Sequence, residues 1–154
     1  TELIHYCLKH FKHLLISTGT STFNEMRSIV VNIPHDKYTL LHCVSSYPCD
    51  FNIVNLPRMN TLKQLSNSVG FSDHAQGIES AVLSLGMGAN FIEKHFTTDN
   101  DLPGRDNKFA VLPSDMKRLS EYIKISNKVM KSKGHNFQKC ELDSRENYTG
   151  RFNG

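Results

Sequence analysis

His74 and His95 each follow a short apolar stretch, and each has a polar residue two positions before it, Ser72 and Glu93. Side chains alternate along an extended strand, so residues two apart share a face. If the stretches are strands, Ser72 points with His74, Glu93 with His95, and Ser45 with Tyr47. Two neutral imidazoles on adjacent strand ends, with Asp73 and Glu93 beside them, can hold a divalent cation. No cysteine stands nearby in sequence, so water or substrate oxygens would fill the remaining positions and leave the ion open for Lewis-acid work. The same spacing also suits two histidines that merely hydrogen-bond within a fold, and spacing alone leaves both readings open. His5, His10, His13, His35 and His135 read as solvated or capping residues. His42, in mid-strand, reads as a residue that packs or hydrogen-bonds locally.

Positioning such residues takes a scaffold, and the chain repeats a short apolar run followed by a helical pattern. The runs are 13–17, 38–45, 69–72 and 90–96, and residues 1–11 read as the end of a helix. Helical patterns follow Gly19 as far as about Ile33, then at 57–66, 77–85 and 114–130, the last with Met116, Leu119, Ile123 and Met130 as an apolar stripe. Thr22 and Glu25 have the spacing of a capping box. Alternating strands and helices imply a parallel sheet covered by helices, either doubly wound or half of an eightfold α/β barrel. A GxGxxG fingerprint between strand and helix is absent, which favours the barrel. In such folds the chemistry gathers at the C-terminal ends of the strands. Every expected strand here ends in useful polar residues: Ser17-Thr18-Gly19, His42 through Pro48, Ser72-Asp73-His74 and Glu93-Lys94-His95. The loop at 97–108 follows the His95 strand and is dense in charge; it is either a solvated face or a cover over a substrate. Residues 131–154 are polar with little periodicity and read as a linker or tail.

Composition sets bounds on partners. With 38% hydrophobic and 21% charged residues, the 154-residue chain suits one soluble domain. A net charge of +3 gives no argument for nucleic acid or a membrane surface. No apolar run approaches the roughly 18 residues of a spanning helix. Cys7, Cys43, Cys49 and Cys140 lack disulfide or zinc spacing, so reduced thiols and a cytoplasmic setting are expected. A start at Thr1, inside a helical pattern, raises the expectation of a chain cut from something longer.

Five segments, in order, resemble the motifs of the N-acetylneuraminate (sialic acid) synthase family. They are Ser17-Thr18-Gly19, His42-Cys43-Val44-Ser45-Ser46-Tyr47-Pro48, Gly70-Phe71-Ser72-Asp73-His74, Glu93-Lys94-His95-Phe96-Thr97 and the run from Leu102 to Phe109. That family includes synthases of legionaminic and pseudaminic acids. The resemblance implies a TIM-type (β/α)8 barrel of which residues 1–130 form the C-terminal half, four βα units. It implies condensation of phosphoenolpyruvate with an N-acetylated amino sugar, such as N-acetylmannosamine, to a nine-carbon 2-keto acid with loss of phosphate. It implies a divalent metal on His74 and His95, with Mn²⁺ first and Mg²⁺ or Co²⁺ as alternatives. Ser17 and Ser72 match positions that bind phosphoenolpyruvate. Ser45 matches a third substrate position, where relatives often carry Asn. Tyr47 and Asp106 match positions near the sugar. Glu93 and Tyr47 are the catalytic candidates, Glu93 as a carboxylate that moves protons or orients a ligand histidine. Family members are homodimers in which a small antifreeze-like domain reaches the partner's site. Neither that domain nor the first four strands, with their phosphate-neutralising lysines, has a counterpart in these residues.

Two other readings compete. The chain can be a non-catalytic half-barrel that binds a sugar acid or a complementary barrel half. A Schiff-base aldolase on the same barrel would need a lysine inside, and Lys94 has the parity opposite to His95.

Overall fold

The computed structural model describes residues 2–150, so Thr1 and the last four residues of the expected tail lie outside the described residues. Four strands run in sequence order in one parallel sheet: β1 (Leu14–Ser17), β2 (Tyr38–Cys43), β3 (Val69–Asp73) and β4 (Ile92–Lys94). Helices α1 (Glu2–His10), α2 (Phe23–Val30), α3 (Arg58–Leu62), α4 (Glu79–Gly86) and α5 (Pro113–Val129) precede, link and follow them. Sequential parallel strands with helical crossovers form a half-barrel.

Side-chain parity divides the sheet into two faces. Leu14, Ile16, Tyr38, Leu40 and Val69 point outward into one apolar cluster with Met26, Val30, Met59 and Leu62 from the helices. Ile92 packs in a second cluster with Ala81, Val111 and Leu119, which seats α4 and α5. The opposite parity faces the concave side: Leu15 and Ser17, Thr39, Leu41 and Cys43, Gly70 and Ser72, then Glu93. Gly70 is required there. A Cβ at this position would overlap the Leu41 side chain and come within 2.7 Å of the Phe91 carbonyl oxygen, so glycine lets β4 lie close.

The N-terminal ends of the strands are tied by side chains. His13 Nε2 is 2.9 Å from the Thr39 hydroxyl, Thr39 Oγ1 is 2.9 Å from Ser68 Oγ, and the Asn90 amide donates to Ser68 Oγ at 3.2 Å. The His13 ring also stacks on Phe91 at 6.2 Å, so the sheet curls far enough for its two outer strands to meet at this end.

Several expectations change at their boundaries. β4 is three residues long rather than 90–96, because after Lys94 the chain leaves β3, and Phe96 forms a parallel bridge with Val111 instead. α3 covers only Arg58–Leu62, within the expected 57–66. The Thr22 capping box is present, with Glu25 Oε2 2.7 Å from the Thr22 amide nitrogen. Residues 131–150 are exposed throughout, yet they include a helix, α6 (Leu142–Tyr148), whose Arg145 lies 4.7 Å over the Phe137 ring. No helix among the described residues is long and apolar enough to cross a membrane.

Candidate functional site

β3 and β4 run in register, Ser72 opposite Glu93 and Asp73 opposite Lys94, so the histidines that follow emerge side by side. The His74 and His95 ring centroids are 5.3 Å apart at an interplanar angle of 62°. His74 is buried, and its Nδ1 lies 2.9 Å from the Val44 carbonyl oxygen. A carbonyl only accepts, so Nδ1 carries a proton, and Nε2 is the nitrogen whose lone pair the neutral tautomer would present. Ser72 Oγ donates to Glu93 Oε1 at 2.9 Å, leaving only a long 3.4 Å approach to His74 Nε2. That nitrogen is therefore a donor atom without a strong protein partner. The backbone of His74 is held too, since its carbonyl accepts from the Cys49 amide at 2.9 Å.

His95 is placed by the loop that follows it. Its carbonyl accepts from the Val111 amide at 2.8 Å, its ring meets Phe109 edge-on at 5.3 Å, and Nδ1 lies 3.7 Å from Asp106 Oδ2. The loop is closed on itself: the Asn100 amide donates to Asn107 O and Ala110 O, and the Asn107 amide donates to Leu102 O and Pro103 O. Tyr47 lies across both imidazoles, 4.2 Å from the His74 ring and 5.8 Å from that of His95.

The structure thus gathers Tyr47, Ser72, His74, Glu93, His95 and Asp106. Ser45 stands beside them, its Oγ 3.9 Å from Cys43 Sγ, which in turn is 3.9 Å from His74 Nδ1. A Cβ at Gly19 would overlap Ser45 Oγ, so this glycine lets the loop after β2 approach β1. Ser17 shares the concave face from β1, but among the described residues no hydrogen bond joins it to the group. Three contributors lie inside the five motif segments but have no role assigned there: the Val44 carbonyl, Cys43 behind His74, and Phe109 against His95. A backbone acceptor has no residue type to read, and the other two lie 31 and 14 positions from their partners. A cavity of about 430 Å³ between the β2–α3 loop and α4, lined by Phe51, Val54, Leu56 and Leu83, contains none of the group.

Would these residues suit a metal? Two imidazoles converge, and one presents a defined lone pair. Among the described residues no group of three or more His, Cys, Asp or Glu side chains could complete a cage. The donor set fits an ion with two protein nitrogens whose other positions face water or substrate, and it does not fit a closed structural site.

Residues 1–135 match the model of the NeuB family. The chain belongs to that family. It is 39% identical to the N,N'-diacetyllegionaminic acid synthase of Legionella pneumophila over 137 residues, 84% of this chain and 38% of that protein. It is 33% identical to the N-acetylneuraminate-9-phosphate synthase of Drosophila melanogaster over 115 residues, 71% of this chain and 31% of that one. The crystal structure of the N-acetylneuraminic acid (sialic acid) synthetase from Leptospira borgpetersenii, in complex with citrate, superposes with a TM-score of 0.84 at 31% identity. That match covers 94% of this chain and 52% of the synthetase, so the four parallel strands correspond to part of its barrel. The chain spans about two fifths of the length of the curated relatives it matches.

Proposed function

We propose that this NeuB-family chain serves the condensation of phosphoenolpyruvate with an N-acetylated amino sugar, giving a nine-carbon 2-keto sugar acid and inorganic phosphate. The observation that carries this reading is the His74–His95 pair, with His74 Nε2 meeting only a long 3.4 Å contact beside the Ser72–Glu93 hydrogen bond. The similarity to legionaminic, pseudaminic and N-acetylneuraminate-9-phosphate synthases supports sugar-acid synthesis without selecting the sugar.

In this reading His74 and His95 hold a divalent cation, Mn²⁺ in the first instance, with Mg²⁺ and Co²⁺ as alternatives. Bound there, the ion supplies Lewis acidity to a sugar carbonyl oxygen. The chain's own residues do the rest. Ser17 and Ser45 offer hydroxyls to phosphoenolpyruvate, and Ser72 does so by turning its one hydrogen from Glu93 Oε1 to the incoming anion. Tyr47, lying over both imidazoles, and Asp106, beside His95, flank the sugar. Glu93 is oriented by Ser72 and takes up or returns the proton of the water that adds to C2 as phosphate leaves. Carbon–carbon bond formation joins C3 of phosphoenolpyruvate to the sugar aldehyde carbon.

The test is phosphate release by the full-length protein from phosphoenolpyruvate with N-acetylmannosamine, and with the N-acetylated precursors of legionaminic and pseudaminic acids. Release that requires one of these sugars and Mn²⁺ is expected. No release with any of them would overturn the reading.

A further inference from the structure

Asp73 and Lys94 face each other on the last paired rung of β3 and β4, one residue before His74 and His95 respectively. Their parity turns them away from the imidazoles, toward the helices. Lys94 Nζ lies 3.1 Å from Asp73 Oδ2, and the two side chains are 2% and 0% exposed. The same carboxylate oxygen accepts from Ser80 Oγ at 2.7 Å, Oδ1 accepts from the Ala75 amide at 2.9 Å, and Nζ donates to the Ala75 carbonyl at 2.5 Å. Ala75 is therefore gripped at both its amide and its carbonyl, which fixes the backbone directly after His74.

A buried ion pair is a poor source of stability, because desolvation cancels much of its attraction, and its best-attested use is to fix register. Register is what this place needs. β4 has three paired residues, the shortest ladder in the sheet. A slip of one residue would turn His95 and Glu93 to the helix side and carry Lys94 to the concave face, leaving the Asp73 carboxylate buried without its cation. The pair also neutralises Lys94, whose charge would otherwise oppose a cation held nearby.

We infer that the Asp73–Lys94 pair is the positioning device of the two-imidazole site, locking β3 to β4 at the rung that sets the His74–His95 spacing. The inference rests on the metal-site reading above and is separable from it. The variant Asp73→Asn with Lys94→Met keeps the Asn side-chain carbonyl for the Ala75 amide and the volume of the lysine stem, but removes the tie between strands. Mn²⁺ affinity of the full-length protein, read from its paramagnetic resonance signal during titration, should fall at least about tenfold. The unfolding midpoint should move by no more than a few degrees. Equal affinity in wild type and double variant would overturn the positioning role while leaving the metal site standing. If the wild type itself takes up no Mn²⁺, the metal reading fails and the inference goes with it. Should the double variant not fold, Lys94→Gln, which removes the cation and shortens the reach to Asp73 while keeping a donor, decides. A Kd raised about threefold supports the inference, and an unchanged Kd overturns it.

Discussion

The two ends of the sheet use the same chemistry to opposite effect. At the N-terminal ends of the strands His13 has both ring nitrogens engaged, Nδ1 with the Asp36 carbonyl at 3.0 Å and Nε2 with Thr39 at 2.9 Å, and a hydroxyl and amide chain runs on to Asn90. At the C-terminal ends His74 has one nitrogen engaged by Val44, and the other faces a hydroxyl already given to Glu93. Satisfied polar groups stiffen a fold and are inert toward a ligand. A polar group held rigidly but left short of a partner is ready to bind one. What separates the two ends is how closely the ring nitrogens are held: both His13 contacts are 3.0 Å or shorter, whereas His74 Nε2 has only the 3.4 Å approach to Ser72. Residue type does not distinguish them.

Substitution of the histidines should break this contrast most sharply. In the full-length protein His74→Ala or His95→Ala is expected to lower sugar-dependent phosphate release by about 10²–10³-fold. The unfolding midpoint should fall only modestly, because His74 gives up one short hydrogen bond, to Val44, and His95 its edge contact with Phe109. A variant that kept its rate would remove the reason for placing chemistry at this end. The mirror experiment is His13→Ala. It should cost about 1–3 kcal/mol of stability through the two lost hydrogen bonds and leave kcat unchanged, as urea unfolding and steady-state rates will show. Ser72→Ala comes next, with a rise in KM for phosphoenolpyruvate of about tenfold, the worth of one hydrogen bond to a charged ligand. Movement of the sugar's KM alone would reassign the serine.

Much of this contrast was legible in the sequence, and what was not is instructive. Four strands alternating with helices, the shared faces of Ser72 with His74 and Glu93 with His95, and the Thr22–Glu25 cap all follow from local periodicity and spacing. Local pattern failed where the deciding partner is distant. His13 read as a solvated or capping residue, yet its partner Thr39 lies 26 positions away. Lys94 read only as facing away from His95, and what it meets is an aspartate 21 positions earlier, in a site closed to solvent. The helix Leu142–Tyr148 carries no apolar stripe, so periodicity could not announce it. The early end of β4 depends on Phe96 finding Val111, a pairing no strand pattern contains.

A third histidine sharpens the comparison, with the smallest expected effect. His42 is fully buried and stacks on Phe71 at 5.5 Å. Its Nε2 lies 2.7 Å from the Val54 carbonyl, and Nδ1 has no hydrogen-bond partner. Unlike His74 Nε2, which approaches Ser72 at 3.4 Å, this nitrogen is walled in without a partner. Burial disfavours the imidazolium and lowers the pKa of His42, outweighing its bond to Val54; the Arg58 cation adds to the lowering and the Asp73 carboxylate opposes it. In the unfolded chain the ring titrates near about 6.5. Below that pH the unfolded state binds a proton that the folded state refuses, so stability rises with pH. The contribution is complete above about 6.5 and is lost progressively as pH falls toward the lowered folded value. His42→Gln keeps an N–H for Val54 and cannot titrate. Subtracting its unfolding free energy from that of the wild type, at a series of pH values from about 7.5 down to 5 around the ordinary histidine pKa, isolates this one group. The difference should be flat above the histidine range and then move against the wild type as the solution becomes more acid. A difference that stays level throughout, or turns in the wild type's favour, would mean that the buried ring accepts a proton as readily as an unfolded one. The distinction drawn between an enclosed lone pair and the open one at His74 would then be lost.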